Sequence, residues 1–142
     1  MHSDRVARPD RTLALTRGVE RLFTDMGHAP LEEFKLTNGR RVDVATLDRS
    51  GLLTFIEIKS CRADFETDQK WTEYLEYCDK FYFAVDADFP KHLLPEGEGL
   101  ILADAFGAEV ERASQERKLS AARRKAVTLR FARQAARRAV SI

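Results

Sequence analysis

A run that is apolar on both faces, Leu52-Leu53-Thr54-Phe55-Ile56, passes directly into Glu57-Ile58-Lys59. A strand with no polar face must be covered on both sides, so it belongs in the middle of its sheet. Side chains alternate along a strand, so Glu57 and Lys59 share one face while Ile58 enters the opposite layer. The neighbouring segments fix how that sheet is built. Asn38-Gly39, between extended runs at 31–36 and 41–47, predicts a two-residue hairpin, because both residues tolerate positive φ. Asp48-Arg49-Ser50-Gly51 predicts the next turn. Three strands joined this way make an antiparallel meander, and Asp43 falls on the strand beside Glu57 and Lys59, close to the level of both.

The flanking segments supply the covering layers. Leu15, Val19, Leu22, Phe23 and Met26 recur at three- and four-residue spacing, which predicts a helix from Asp10 or Thr12 to about His28, stopped by Gly27. Trp71, Tyr74, Leu75 and Cys78 mark the apolar face of a second helix over 65–79. Residues 80–85 read as a short buried strand, and Pro90 and Pro95 make 86–97 a loop with at most one helical turn. Residues 99–103 and 109–112 read as a hairpin around Asp104-Ala105-Phe106-Gly107. Ser120 caps a last helix whose inner stripe is expected to be Leu119, Ala122, Ala126, Leu129, Ala132 and Ala136. With 142 residues, the chain is read as a single domain, 1–142.

The spacing permits a specific chemistry. Asp43 and Glu57 offer two hard carboxylate ligands, and the Ile58 backbone carbonyl a third oxygen, for Mg²⁺ or Mn²⁺. A lysine beside them, Lys59, is placed to orient a water and offset transition-state charge, an arrangement suited to phosphodiester hydrolysis. The competing reading is an exposed Glu-x-Lys face with Asp43 as its ion-pair partner. Trp71, Tyr74 and Tyr77 at helical spacing are read as core. The scattered histidines, His2, His28 and His92, suggest no zinc site. Cys61 and Cys78 are too few for a disulfide framework and fit a reducing cytoplasm. There is no membrane-length apolar run, and no apolar segment behind a basic start, so neither a span nor a secretory leader is expected.

Charge is distributed unevenly. Residues 117–142 hold nine Lys or Arg and no Asp or Glu, so a chain of net charge +1 carries −8 on the remainder. An acid-free basic helix suggests a polyanion partner such as a nucleic acid, gripped through Arg123, Arg124, Arg130, Arg133 and Arg137. The alternative is a helix that docks on the acidic body.

Arg41-Val42-Asp43 and Glu57-Ile58-Lys59, in this order of elements, resemble the PD-(D/E)XK nuclease superfamily over about residues 12–86. The proline frequent before that family's aspartate is here Val42. The resemblance implies a restriction-endonuclease-like αβββαβ core with a mixed central sheet, extended by a C-terminal hairpin and basic helix over about 99–138. A more detailed resemblance, to the MmcB family, rests on the segments 57–65, 68–71, 77–85, 103–109 and 118–125. It implies a bacterial DNA-repair role with a nuclease-type site, endonuclease action being favoured. On this carry-over Asp43 and Glu57 hold the metal and Lys59 is the catalytic lysine. Glu20 is the candidate for the superfamily's first-helix glutamate, against a plain exposed residue. Lys70, ahead of Gln69, is the candidate second-helix residue, against an ion pair with Glu66 or Glu73. Two other readings stand beside the nuclease: a non-cleaving DNA-binding repair accessory module that keeps the fold, and an assembly protein whose helix docks on another subunit. A homodimer or a repair-protein partner fits any of them.

Overall fold

The computed structural model describes residues 8–67 and 70–140. Six strands, β1 (Ala29–Lys35), β2 (Arg41–Leu47), β3 (Leu53–Ile58), β4 (Lys80–Val85), β5 (Gly99–Ala103) and β6 (Ala108–Arg112), form one sheet in sequential order. β1, β2 and β3 are antiparallel, β3, β4 and β5 run parallel, and β6 returns antiparallel to β5. Every residue of β3 is buried, as its two apolar faces require.

Helix α1 (Arg8–Asp25) covers one face, setting Leu15, Val19 and Phe23 on Val44, Ile56, Ile58 and Ile101. The other face is covered by α2 (Arg62–Thr67), a 3₁₀ helix (Trp71–Tyr77) and α3 (Ala121–Val140). Its core is aromatic: Phe34, Phe55, Phe81 and Phe83 meet Phe65, Tyr74 and Phe131. The result is a three-layer α/β sandwich on a mixed sheet. Met26, expected on the inner stripe of α1, lies past the helix end and is exposed.

The first turn differs in detail from the prediction, and the second falls at Asp48–Gly51 as predicted. The first hairpin closes on a three-residue loop: the Leu36 N–H donates to the Arg40 carbonyl at 2.8 Å, and Gly39 takes φ +85°. Asn38 is drawn into it because its side-chain oxygen accepts the Arg40 N–H at 2.9 Å. In the second turn the Asp48 carboxylate accepts the N–H groups of Ser50 and Leu52 at 2.9 and 2.8 Å. That turn sets Leu47 against Leu53 and Val44 against Ile56. Continued by one residue, this register puts Asp43 level with Glu57.

The single helix expected over 65–79 is two pieces. Trp71 and Tyr74 both stack on Phe81, with centroids 5.9 and 6.2 Å away. A three-residue repeat aligns them, and that is the repeat of a 3₁₀ helix. The inner face of α3 also differs. Its buried anchors are Val127 and Phe131, while Ala122, Ala126, Leu129, Ala132 and Ala136 face outward. Alanine buries too little area to choose a helix's orientation; Val127 and Phe131 bury more and do so.

Candidate active site

The backbone ladder between β2 and β3 ends at Val44 and Ile56, and side chains carry it further. The Ile58 N–H donates to Asp43 Oδ2 at 2.7 Å, and the Asp43 N–H donates to Glu57 Oε1 at 3.2 Å. Each carboxylate is therefore held by the other strand's segment. Reciprocal N–H bonds to the charged forms offset the repulsion between two acids placed side by side. Lys59 closes the group, with Nζ 3.9 Å from Glu57 Oε2, and its own N–H donates to the Ala84 carbonyl at 3.0 Å. The side chains of Glu57 and Lys59 are each only 5% exposed, whereas Asp43 is half-buried and reaches the surface. Ile58 points into the α1 layer, as strand alternation requires.

Residues outside the motif fix this end of the sheet. Ser60, buried directly after Lys59, donates to Asp64 Oδ2 at 2.8 Å and accepts from Thr12 Oγ1 at 3.3 Å. The hydroxyl of Tyr74 donates to the Arg41 carbonyl at 3.0 Å and holds the start of β2. Nothing in the spacing of Thr12 or Tyr74 marks these roles, because each is met only through the fold. Ser60 and Asp64, four residues apart after a strand end, were the one local signal.

The other predicted site residues are placed differently. Glu20 carries a hydrogen bond with Glu32 on β1, and the two line an open cavity of about 520 Å³ with Glu33, Lys35, Arg41 and Arg138. Burial, the Glu32 hydrogen bond and the Glu32 charge raise the Glu20 carboxyl to about 7. A carboxyl that binds its proton more tightly folded than unfolded loses stability for the protein as pH rises from the ordinary carboxylate range toward 7. Glu20→Gln is therefore expected to melt higher than native protein at pH 8 and level with it at pH 4. Thermal melts across that range check this, and equal melting temperatures at pH 8 would refute the shared-proton pair.

Lys70 stands exposed at the head of the 3₁₀ helix, and Gln69 lies outside the described residues. Glu66 bonds Arg62 at 3.0 Å and Glu73 bonds Arg40 at 3.2 Å. On α3, three predicted DNA-contacting arginines turn inward. Arg124 binds Asp79 through both terminal nitrogens at 2.8 and 2.6 Å, Arg123 lies 4.5 Å over the Tyr77 ring, and Arg130 reaches the Lys35 carbonyl at 3.5 Å. The guanidinium groups of these three are bonded by carboxylate and carbonyl oxygens of the body. Arg133 and Arg137 stay exposed on the outward face, joined there by Lys125.

A cation of Mg²⁺ type accepts one or two carboxylates with the rest of its shell as water, and Asp43 and Glu57 supply that donor set. Among the described residues no group of three or more His, Cys, Asp or Glu is placed to hold a metal. Among the described residues no helix is long and apolar enough to cross a membrane.

The fold and site define a class: an α/β domain with a mixed sheet, holding two acids and a lysine where its central strand ends. Within that class the chain belongs to the MmcB-like family, whose model, described as DNA repair protein MmcB-like, matches residues 2–142. A solved structure, the SPO1766 protein of unknown function from Silicibacter pomeroyi, is 47% identical with a TM-score of 0.87, over 94% of this chain and 89% of that one. No curated protein matches.

Proposed function

We propose that this protein is a DNA-repair nuclease that hydrolyses phosphodiester bonds with Mg²⁺ or Mn²⁺, an endonuclease with a restriction-endonuclease-like, PD-(D/E)XK site. The observation that carries this reading is the reciprocal bonding of Asp43 and Glu57 with Lys59 beside them. Asp43, Glu57 and the Ile58 carbonyl would hold the cation, which when bound polarises the phosphate and acidifies a water. Asp43 meets solvent and faces the approaching backbone. Lys59, an ammonium in a site almost closed to solvent, orients the water and stabilises charge on the phosphoryl oxygens. Burial strengthens that interaction by lowering the local dielectric. The family's association with DNA repair supplies the context.

The test is cleavage of single-stranded, duplex, flap and gapped DNA, with Mg²⁺, Mn²⁺ and chelator arms. Metal-dependent products support the proposal. Binding that is equal with and without metal, with no cleavage of any substrate, favours the accessory-module reading instead.

DNA contact is assigned to the outward face of α3 through Lys125, Arg133 and Arg137. Replacing all three with alanine should lower the salt dependence of DNA affinity, the slope of log K against log salt falling by about 2.7 for three lost phosphate contacts. Fluorescence anisotropy on one duplex across a salt series measures it. An unchanged slope would move the DNA elsewhere.

A further inference from the structure

Two of the most exposed large apolar side chains in the described chain, Phe106 at 80% and Leu129 at 58%, lie in surroundings of opposite charge. Phe106 sits at the β5–β6 turn on an open groove of about 680 Å³, lined also by Asp86, Asp88, Leu102, Asp104 and Glu109, with no Lys or Arg in the lining. The turn is held firmly. Asp104 Oδ1 accepts the N–H groups of Phe106 and Gly107 at 2.8 and 3.0 Å. Gly18 of α1 packs so close beneath that a Cβ there would stand 2.1 Å from the Asp104 carbonyl oxygen.

On α3, Lys125, Leu129, Arg133 and Arg137 recur every four residues and form one exposed stripe, flanked by the exposed alanines Ala122, Ala126, Ala132 and Ala136. Small side chains leave room for a ring to lie against the helix. Cations along the stripe match the carboxylates around Phe106.

We infer that the acidic Phe106 groove of one copy binds the basic Leu129 stripe of α3 on a second copy, head to tail. Symmetric alternatives are disfavoured by charge. Antiparallel pairing of edge strand β6 with itself about Val110 sets Glu109 against Glu111, and stripe against stripe repels. A head-to-tail contact joins two different surfaces, so association closes into a ring or runs on as an open chain, and in either form it grows with concentration. Because it is largely ionic at its rim, added salt weakens it.

Sedimentation velocity of the full chain, free of DNA, tests this. The native protein should gain mean mass with concentration in low salt and return to the monomer in high salt. Asp88→Lys/Glu109→Lys and Arg133→Glu/Arg137→Glu alter exposed residues away from the core. Each should weaken association at least tenfold alone. An equimolar mixture should recover it, because each reversed surface then meets its complement. Phe106→Ala should weaken it in native charge background. A native protein that stays monomeric at every concentration overturns the inference, whatever other basic ligand the groove accepts. So does a mixture that fails to recover association while both variants remain folded.

Discussion

Glu57→Gln is expected to reduce metal-dependent DNA cleavage by at least about a hundredfold while the protein stays folded, the loss seen when one preorganised charged group is removed from a transition state. Glutamine keeps the length of the side chain and an oxygen that accepts the Asp43 N–H, now bonded at 3.2 Å. It removes the negative charge that a divalent cation and Lys59, 3.9 Å away, both need. Glu57→Ala should lose cleavage as completely but also stability. It removes the buried carboxylate that accepts the Asp43 N–H at 3.2 Å and lies 3.9 Å from Lys59 Nζ, and losing a buried hydrogen-bond partner costs about 1–3 kcal/mol. Lys59→Met keeps the apolar stem and deletes the charge. It should abolish cleavage and leave metal binding to Asp43 and Glu57 largely intact. Single-turnover cleavage beside thermal melting separates catalysis from folding. Native rates from a folded Glu57→Gln protein would remove Glu57 from the site and the nuclease reading with it.

Much of this arrangement is legible in the sequence because it obeys short periods. The bounds of β2, β4 and β5 follow from apolar runs closed by turn residues, and the common face of Asp43 and Glu57 follows from alternation and one tight turn. What escapes is decided at long range. Arg124 looks like any other cation of a basic helix until Asp79, 45 residues earlier, is brought beneath it. Glu20 reads as the sole acid in the middle of α1, yet its partner Glu32 comes from β1. The 3₁₀ turn at Trp71–Tyr77 is fixed by stacking on Phe81, a contact with no helical signature. Local pattern therefore places the two acids and the lysine together, while the bonding of Arg123, Arg124 and Arg130 to the body comes only with the fold.

Asp79→Ala is expected to destabilise the protein by about 3–5 kcal/mol, the cost of removing one partner of a buried ion pair. The Asp79 side chain has no exposed surface, and Arg124 approaches it to 2.6 Å. It also accepts the N–H groups of Leu53 at 2.8 Å and Leu119 at 3.0 Å. One carboxylate thus joins the start of β3, the approach to α3 and α3 itself. Alanine leaves the Leu53 and Leu119 N–H groups without their acceptor and takes the carboxylate from Arg124, against a total stability of about 5–15 kcal/mol for a domain of this kind. Arg124→Ala should cost nearly as much, because it leaves the buried carboxylate without its counter-charge and held only by the two N–H donors, and the double variant should cost less than the two singles added. The acid limb of the stability profile carries the same signature. Desolvation, the largest single influence on Asp79, raises its pKa, but the Arg124 hydrogen bond and charge and the two N–H donors together hold it below the usual carboxylate value. A depressed native pKa contributes stability that is present above the unfolded value near 3.8 and is lost as pH falls through the folded one. Urea unfolding at pH 7 and at pH 3 should therefore separate native from Asp79→Ala more widely at the higher pH. An equal gap at both would mean that the carboxylate's charge contributes nothing, and that Asp79 serves only to fill space and accept two backbone hydrogens.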